Sequence, residues 1–213
     1  SRPGYAPACS NKFVPGVCDL PKVKCGDCTN QAFLPVDDAA ILAHLRGQHV
    51  MGVYPMLADE TCWFLAIDFD KHSYLDDVRA VVQTCRRLDV PFAVERSRSG
   101  NGAHVWFFFS APVVASTARQ FGSLILTRTM SERHELGMDS YDRLFPNQDT
   151  MPRGGFGNLI ALPLQYGPRK EGNSVFLDDE MATIADDEQW THLYSIRRID
   201  PSTIERLVDE AIR

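Results

Sequence analysis

The chain has 213 residues, 44% of them hydrophobic and 23% charged, with a formal net charge of −6. Those values exclude a low-complexity or disordered chain and a purely basic nucleic-acid coat, and they allow one large domain or two small ones sharing a core. No apolar run approaches the roughly 18–20 residues of a membrane-spanning helix, and the first residues lack the charged-then-apolar order of a signal peptide, so a cytoplasmic protein that meets no membrane is expected.

Cys9, Cys18, Cys25 and Cys28 fall within a Pro- and Gly-rich stretch, residues 1–36, that has little hydrophobic periodicity of its own. Such a segment needs a staple to hold a shape. Four clustered cysteines ending in Cys-x-x-Cys, in a chain without a secretory signal, predict a structural, tetrahedral zinc site, with two disulfides or reduced thiols as the alternatives. Next, Asp37 or Asp38 caps a short helix through Leu45 that Gly47 ends. Residues 52–55 then lead into a turn.

Residues 61–70, TCWFLAIDFD, alternate with a period of two. Trp63, Leu65, Ile67 and Phe69 share one face, and Cys62, Phe64, Ala66, Asp68 and Asp70 the other, which is the pattern of a strand. Residues two apart on a strand are roughly 6.5–7 Å apart. The Asp68 and Asp70 carboxylates can therefore lean onto one divalent cation, or onto a pair about 3.5–4 Å apart. The bland alternative is a strand end dipping into solvent.

Ser73 can cap a helix whose apolar residues Val78, Val81, Val82, Cys85 and Leu88 recur at helical spacing. Pro91 breaks it, and residues 92–95 read as a strand. The polar, glycine-rich turn 96–102 returns at once into a strand over 103–109. A helix marked by Val114, Ala118, Phe121 and Ile125 runs to about residue 130. Strand, helix, strand, tight turn, strand is half of a split βαβ arrangement. Farther on, residues 138–139 read as a short strand end, 145–157 as a long loop and 159–164 as an apolar strand. A last helix starts at Ser202 with a Ser-x-x-Glu box to Glu205 and turns Ile204, Leu207, Val208 and Ile212 inward.

Charge is uneven along the second half. Between positions 143 and 170 there are four bases against the single acid Asp149, whereas positions 171–190 carry seven acids and no base. A polyanion could bind the first stretch and would avoid the second.

Two loops flank the acid pair if the sheet forms as predicted. In the first, Arg96, Ser97, Arg98, Ser99 and Gly102 offer charge, hydroxyls and close backbone approach to an anion, and His104 opens the next strand. A hairpin turn followed by a satisfied core histidine is the alternative. The second, around residues 137–143, offers a third carboxylate, which two-metal sites commonly need. Asp139 is the first choice and Asp142 the rival; either could instead pair with Arg143.

The stretches FLAIDFDK, ERSRSGNGAHVWFFF and GMDSYDRLFPNQDTMPRGGFGNLIALPLQ resemble, in order, the three motifs of the archaeo-eukaryotic primase superfamily. The resemblance is closest to the primase-polymerase domains of TOTE conflict systems and related CRISPR-associated proteins, whose amino-terminal cysteine cluster is similar to VCDLPKVKCGDCTNQAFLPV here. It covers about residues 9 to 165. It implies an α+β fold, an RRM-like catalytic sheet packed with an N-terminal αβ module that carries a zinc-binding cysteine cluster. The expected divisions are residues 1–36 (zinc-binding), 37–200 (catalytic) and 201–213 (a helix packed on the catalytic part).

The implied activity is that of a nucleotidyltransferase: a DNA-dependent primase-polymerase that joins nucleoside triphosphates on a DNA template. Asp68, Asp70 and Asp139 match ligands for two Mg²⁺ or Mn²⁺ ions, His104 a contact to the incoming triphosphate, and Asn158 a substrate-contacting position. Zinc on Cys9, Cys18, Cys25 and Cys28 would brace the amino-terminal module. The start at Ser1 and the helical end give the expectation of one part of a larger, multidomain protein. The rivals are a metal-dependent nuclease, which would degrade DNA without nucleotides, and an inactive zinc-stapled nucleic-acid-binding module.

Overall fold

The computed structural model describes residues 7–71, 73–133 and 138–212, and the side chain of Ile212, expected to turn inward, lies outside this set. The first six residues of the Cys-rich stretch and Gly137 of the third motif fall outside this set.

Alternating residues 61–70 form the strand β2 (Thr61–Asp70), the second strand of a five-stranded sheet. Its partners are β3 (Ala93–Arg96), β4 (Gly102–Val114), β5 (Tyr141–Phe145) and β7 (Val175–Leu177), in the order β5-β2-β4-β3-β7, and every neighbouring pair is antiparallel. Helix α2 (Tyr74–Arg87) joins β2 to β3, and α3 (Ala115–Glu132) joins β4 to β5. The result is a complete β-α-β-β-α-β unit with β7 added at the β3 edge. The protein is thus an α+β fold.

The helical periodicity determines which face is covered. Val78, Val81, Val82 and Cys85 of α2, and Ala118, Phe121 and Ile125 of α3, are buried against Leu65, Ile67, Phe69, Val105 and Phe107 of the sheet. Each such large side chain contributes roughly 1.5–3 kcal/mol by leaving water. The helix α6 (Pro201–Ile212) closes this layer with Ile204, Leu207 and Val208.

The opposite face carries Ala66, Ala93, Trp106 and Phe145, and it packs on Leu45 of α1 (Asp38–Leu45), Val53 of β1 (Gly52–Val53) and Ile160 of β6 (Ile160–Ala161). β1 and β6 pair as a separate two-stranded sheet. Asp37 caps α1, its Oδ1 accepting from the Ala40 N–H at 2.8 Å, and Gly47, at φ 79°, supplies the left-handed turn after it. His44 is a satisfied core residue. The Met51 N–H donates to its Nδ1 at 3.0 Å, its Nε2 lies 2.9 Å from the Pro163 carbonyl, and burial lowers its pKa, which keeps it neutral.

Several elements differ from the sequence expectation. Register slips between Cys62 and Phe64, so Cys62 joins Leu65 on the helix-covered face and Trp63 stands 46% exposed, where strict alternation would have buried it. β4 runs on to Val114, which is consequently exposed, and α3 starts at Ala115. Residues 138–139 are not strand; that edge begins at Tyr141. Only Ile160 and Ala161 of the predicted 159–164 strand are paired, and the turn expected at 52–55 opens with β1. The last helix is capped by Asp200, whose Oδ1 accepts from the Ser202 N–H at 2.9 Å, with Pro201 in the first turn where its missing N–H costs nothing. Helices α4 (Tyr166–Lys170) and α5 (Gln189–Ser195), and strand β7 between them, had no periodic signal long enough to read.

Candidate active site

One transverse row crosses the sheet on the face that packs on α1, β1 and β6. Arg143 on β5 pairs with Asp68 on β2, Asp68 with His104 on β4, and His104 with Glu95 on β3. The charges alternate along this row. His104 Nε2 lies 3.4 Å from Asp68 Oδ1, and His104 Nδ1 lies 3.0 Å from Glu95 Oε2. Burial alone would lower the pKa of His104, but the two flanking carboxylates outweigh it and raise the value to about 10. The ring is therefore an imidazolium at neutral pH.

The third carboxylate reaches the pair through a bulge. Asp68 opposes Arg143 and Phe69 opposes Tyr141, so Asp142 is an extra residue on β5 with no partner on β2. A bulge lets two consecutive side chains share a face. Asp142 consequently joins Asp68 and Asp70, each offering an oxygen within 4.8 Å of the others, while Arg143 Nε holds Asp142 Oδ2 at 2.6 Å. Asp139, the first choice from sequence, lies in the exposed turn before β5 and is not in this group; its carbonyl accepts from Lys71 Nζ at 2.8 Å. Burial, then the charges of Asp68 and Asp142, raise the pKa of Asp70. Three mutually repelling hard oxygen donors are a fitting set for Mg²⁺ or Mn²⁺.

The turn before β4 is divided in its loyalties. Gly102 packs so close to the end of β2 that a Cβ there would collide with the Phe69 carbonyl and the Asp70 carboxylate. Ser97 is buried, its hydroxyl 3.1 Å from that of Ser99, which also accepts from the Asn101 N–H at 3.3 Å. Arg98 stands exposed. Arg96 does not join the anion cradle. Alternation on β3 puts it on the other face from Glu95, where Nη1 donates to the Gly172 carbonyl and to Thr183 Oγ1, both at 3.0 Å.

Two further anchors hold the acids. Asp77 on α2 is buried and accepts from Ser140 Oγ and from Arg133 Nη1, while the Ser140 carbonyl accepts from the Asp70 N–H at 2.7 Å. Lys71 adopts a left-handed φ of 82°, which turns the chain after Asp70 and directs its ammonium to the Asp139 carbonyl. Asn158 does not face the acids as a free amide. Nδ2 donates to the Leu144 carbonyl at 3.0 Å and Oδ1 accepts from the Asn147 N–H at 3.3 Å, so it closes the loop after β5.

The pairing of Arg143 with Asp142, one of the alternatives the sequence offered, is present, whereas Glu95 and Asp77 were not expected in this site. Glu95 left a signal, an acid directly after the apolar run of residues 92–94. Asp77 left none, because helix surfaces carry charges routinely.

The profile of the TOTE conflict system archaeo-eukaryotic primase domain matches residues 1–207. The chain belongs to this family. No curated protein matches it significantly.

The cysteine segment touches the loop that follows β5. Gly26 approaches Gly154 so closely that a Cβ would meet its backbone at 2.6 Å, and the Phe33 and Phe156 rings meet edge to face at 5.7 Å. Cys9, Cys18, Cys25 and Cys28 all line one small cavity of about 30 Å³. Cys9 Sγ accepts from the Ala32 N–H at 3.4 Å, and Cys28 Sγ from the Asn30 N–H at 3.3 Å. No three of the sulfurs lie within 4.8 Å of one another, so the quartet surrounds a space without closing on it. The donor set, four thiols around one cavity, fits zinc. Cys62 and Cys85 are different: burial pushes both thiols up to about 12, which makes them inert core residues. Among the described residues no helix is long and apolar enough to cross a membrane.

Proposed function

We propose that this domain is a DNA-dependent primase-polymerase, in which the split βαβ sheet is an RRM-like catalytic platform. The observation that carries the reading is the convergence of Asp68, Asp70 and Asp142 beside His104 on a face covered by the amino-terminal module. Asp68, Asp70 and Asp142 would hold two Mg²⁺ or Mn²⁺ ions, which when bound lower the pKa of a 3′-hydroxyl and neutralise charge on the incoming triphosphate. His104 presents a ring N–H donor to the phosphates, and the exposed Arg98 adds a positive group at the mouth of the turn. The hydroxyl of Ser99 and the close approach of Gly102 shape the same wall. No side-chain nucleophile is required.

Cys9, Cys18, Cys25 and Cys28 would hold a structural zinc ion that fixes the segment against the 146–158 loop. Asp139 stays outside the metal set in this reading. The partners are a DNA template and nucleoside triphosphates.

The test is incubation with single-stranded template, labelled nucleotides and Mn²⁺, with and without a primer. Products longer than the primer, formed only when nucleotides are supplied, support the reading. Degradation of labelled DNA without nucleotides would instead identify a nuclease. A gel shift with no turnover would identify a binding module.

A further inference from the structure

We infer that Glu95 is a positioning residue that fixes the imidazole of His104 for nucleotide binding. The inference builds on the primase-polymerase reading, which supplies the ligand that His104 meets.

Glu95 is only 2% exposed, following Ala93 and Val94 on β3 and paired across the sheet with His104 on one side and Phe176 on the other. A carboxylate buried there costs several kcal/mol unless it is paired and fully bonded. An apolar side chain would fill the space at no such cost. What the carboxylate adds is a fixed acceptor. Oε2 accepts from Trp106 Nε1 at 2.9 Å and meets His104 Nδ1 at 3.0 Å, while Oε1 accepts from Ser174 Oγ at 3.4 Å. With donors on both oxygens the carboxylate cannot rotate.

The ring it holds is also packed edge-on, with Trp106 at 6.0 Å and 86° and with Phe145 at 6.4 Å and 81°. Once Nδ1 is committed to Glu95, Nε2 is the ring nitrogen left to face the acid group, 3.4 Å from Asp68 Oδ1. A buried carboxylate that orients an imidazole through Nδ1 leaves the other nitrogen aimed at its ligand. Glu95 therefore acts through His104 and touches no substrate itself.

The test combines Glu95→Gln, His104→Gln and the double variant. The readouts are the dissociation constant of a nucleoside triphosphate with Ca²⁺, the KM and kcat of extension, and the NMR signal of the His104 Nδ1 proton. In the wild-type domain that proton, bonded to a carboxylate, resonates far downfield. Glu95→Gln is expected to abolish this signal and to weaken nucleotide binding about tenfold, the scale of one charge-assisted hydrogen bond, chiefly through KM. In the His104→Gln background it is expected to add nothing, because coupled residues are not additive.

Wild-type nucleotide affinity in folded Glu95→Gln, or losses that multiply in the double variant, would overturn the inference. Wild-type affinity in His104→Gln would overturn it as well. In that last case a downfield signal still dependent on Glu95 places the fault in the primase-polymerase reading of His104, not in the orientation of the ring. If Glu95→Gln does not fold, Trp106→Phe removes one donor to the carboxylate and leaves Glu95 in place. It is expected to raise the nucleotide KM a few-fold and to shift the same proton signal, and no change in either would overturn the inference.

Discussion

The acidic face and the cysteine segment place their ligand atoms by opposite means. Asp68, Asp70 and Asp142 ride on hydrogen-bonded strands, so sheet register and one bulge bring their oxygens within 4.8 Å with no cation required. Of the four cysteines, Cys9 sits in an isolated bridge with Phe33, Cys25 opens a 3₁₀ turn over Cys25–Asp27, and Cys18 and Cys28 lie in irregular chain, and their sulfurs surround a cavity without converging. A carboxylate site built on a ladder carries its own repulsion as the cost of being assembled in advance. A thiolate site in a segment with almost no core depends on the ion to complete its shape.

The largest effect that can separate the two is on turnover. Asp70→Ala is expected to lower template-directed extension roughly a thousandfold or more, the scale of a lost electrostatic contact in a transition state. It should leave the metal-free melting temperature unchanged or raised, because Asp68 and Asp142 lose a like-charged neighbour. Extension assays and thermal melts on one preparation check both halves. A smaller effect, about a hundredfold on extension, is expected for Gly102→Ala. The new methyl must push back the end of β2, and misplacement near 1 Å costs that much.

Removing the zinc that the thiols are proposed to hold, by chelation or by Cys25→Ser, should act on stability before chemistry. Limited proteolysis is expected to open residues 7–36 while the sheet stays resistant, since its core draws nothing from that segment. If the whole domain unfolds together, the contrast between a preformed and an ion-dependent site is wrong.

The smallest effect is a pH slope. His104 has a folded pKa of about 10 against an ordinary 6.5, so between those values the folded protein holds more protons than the unfolded chain. Stability of the metal-free protein should be full below about pH 6.5 and fall as pH rises through 10, by on the order of a few kcal/mol. Denaturant titrations at several pH values are expected to show this slope in the wild type and to lose most of it in His104→Gln.

Much of this architecture was legible because apolar periodicity and local caps agree with the tertiary fold along residues 61–130. The alternation in β2 and the helical stripe of α2 predicted both the strands and the layer that covers them. Legibility failed where an irregularity of pairing set the outcome. A slip at Trp63 and another at Asp142 each move side chains to the other face of the sheet, and nothing in the sequence period marks either one. Arg96 was misplaced for a related reason. Its position in a polar turn suggested a free cation, whereas strand parity assigns it to carbonyl and hydroxyl acceptors beside β7. The cross-sheet row that ends in Glu95 needs the pairing of four strands to be seen at all.

In the proposed primase-polymerase, Asp142, delivered by the bulge, completes the metal-holding group with Asp68 and Asp70. Template-directed extension by Asp142→Asn and Asp139→Asn, each compared with wild type in saturating Mn²⁺, tests it most directly. Asp142→Asn should lose roughly a thousandfold, and Asp139→Asn should stay within a few-fold of wild type. Near wild-type extension by Asp142→Asn, with the loss falling on Asp139→Asn, would contradict it.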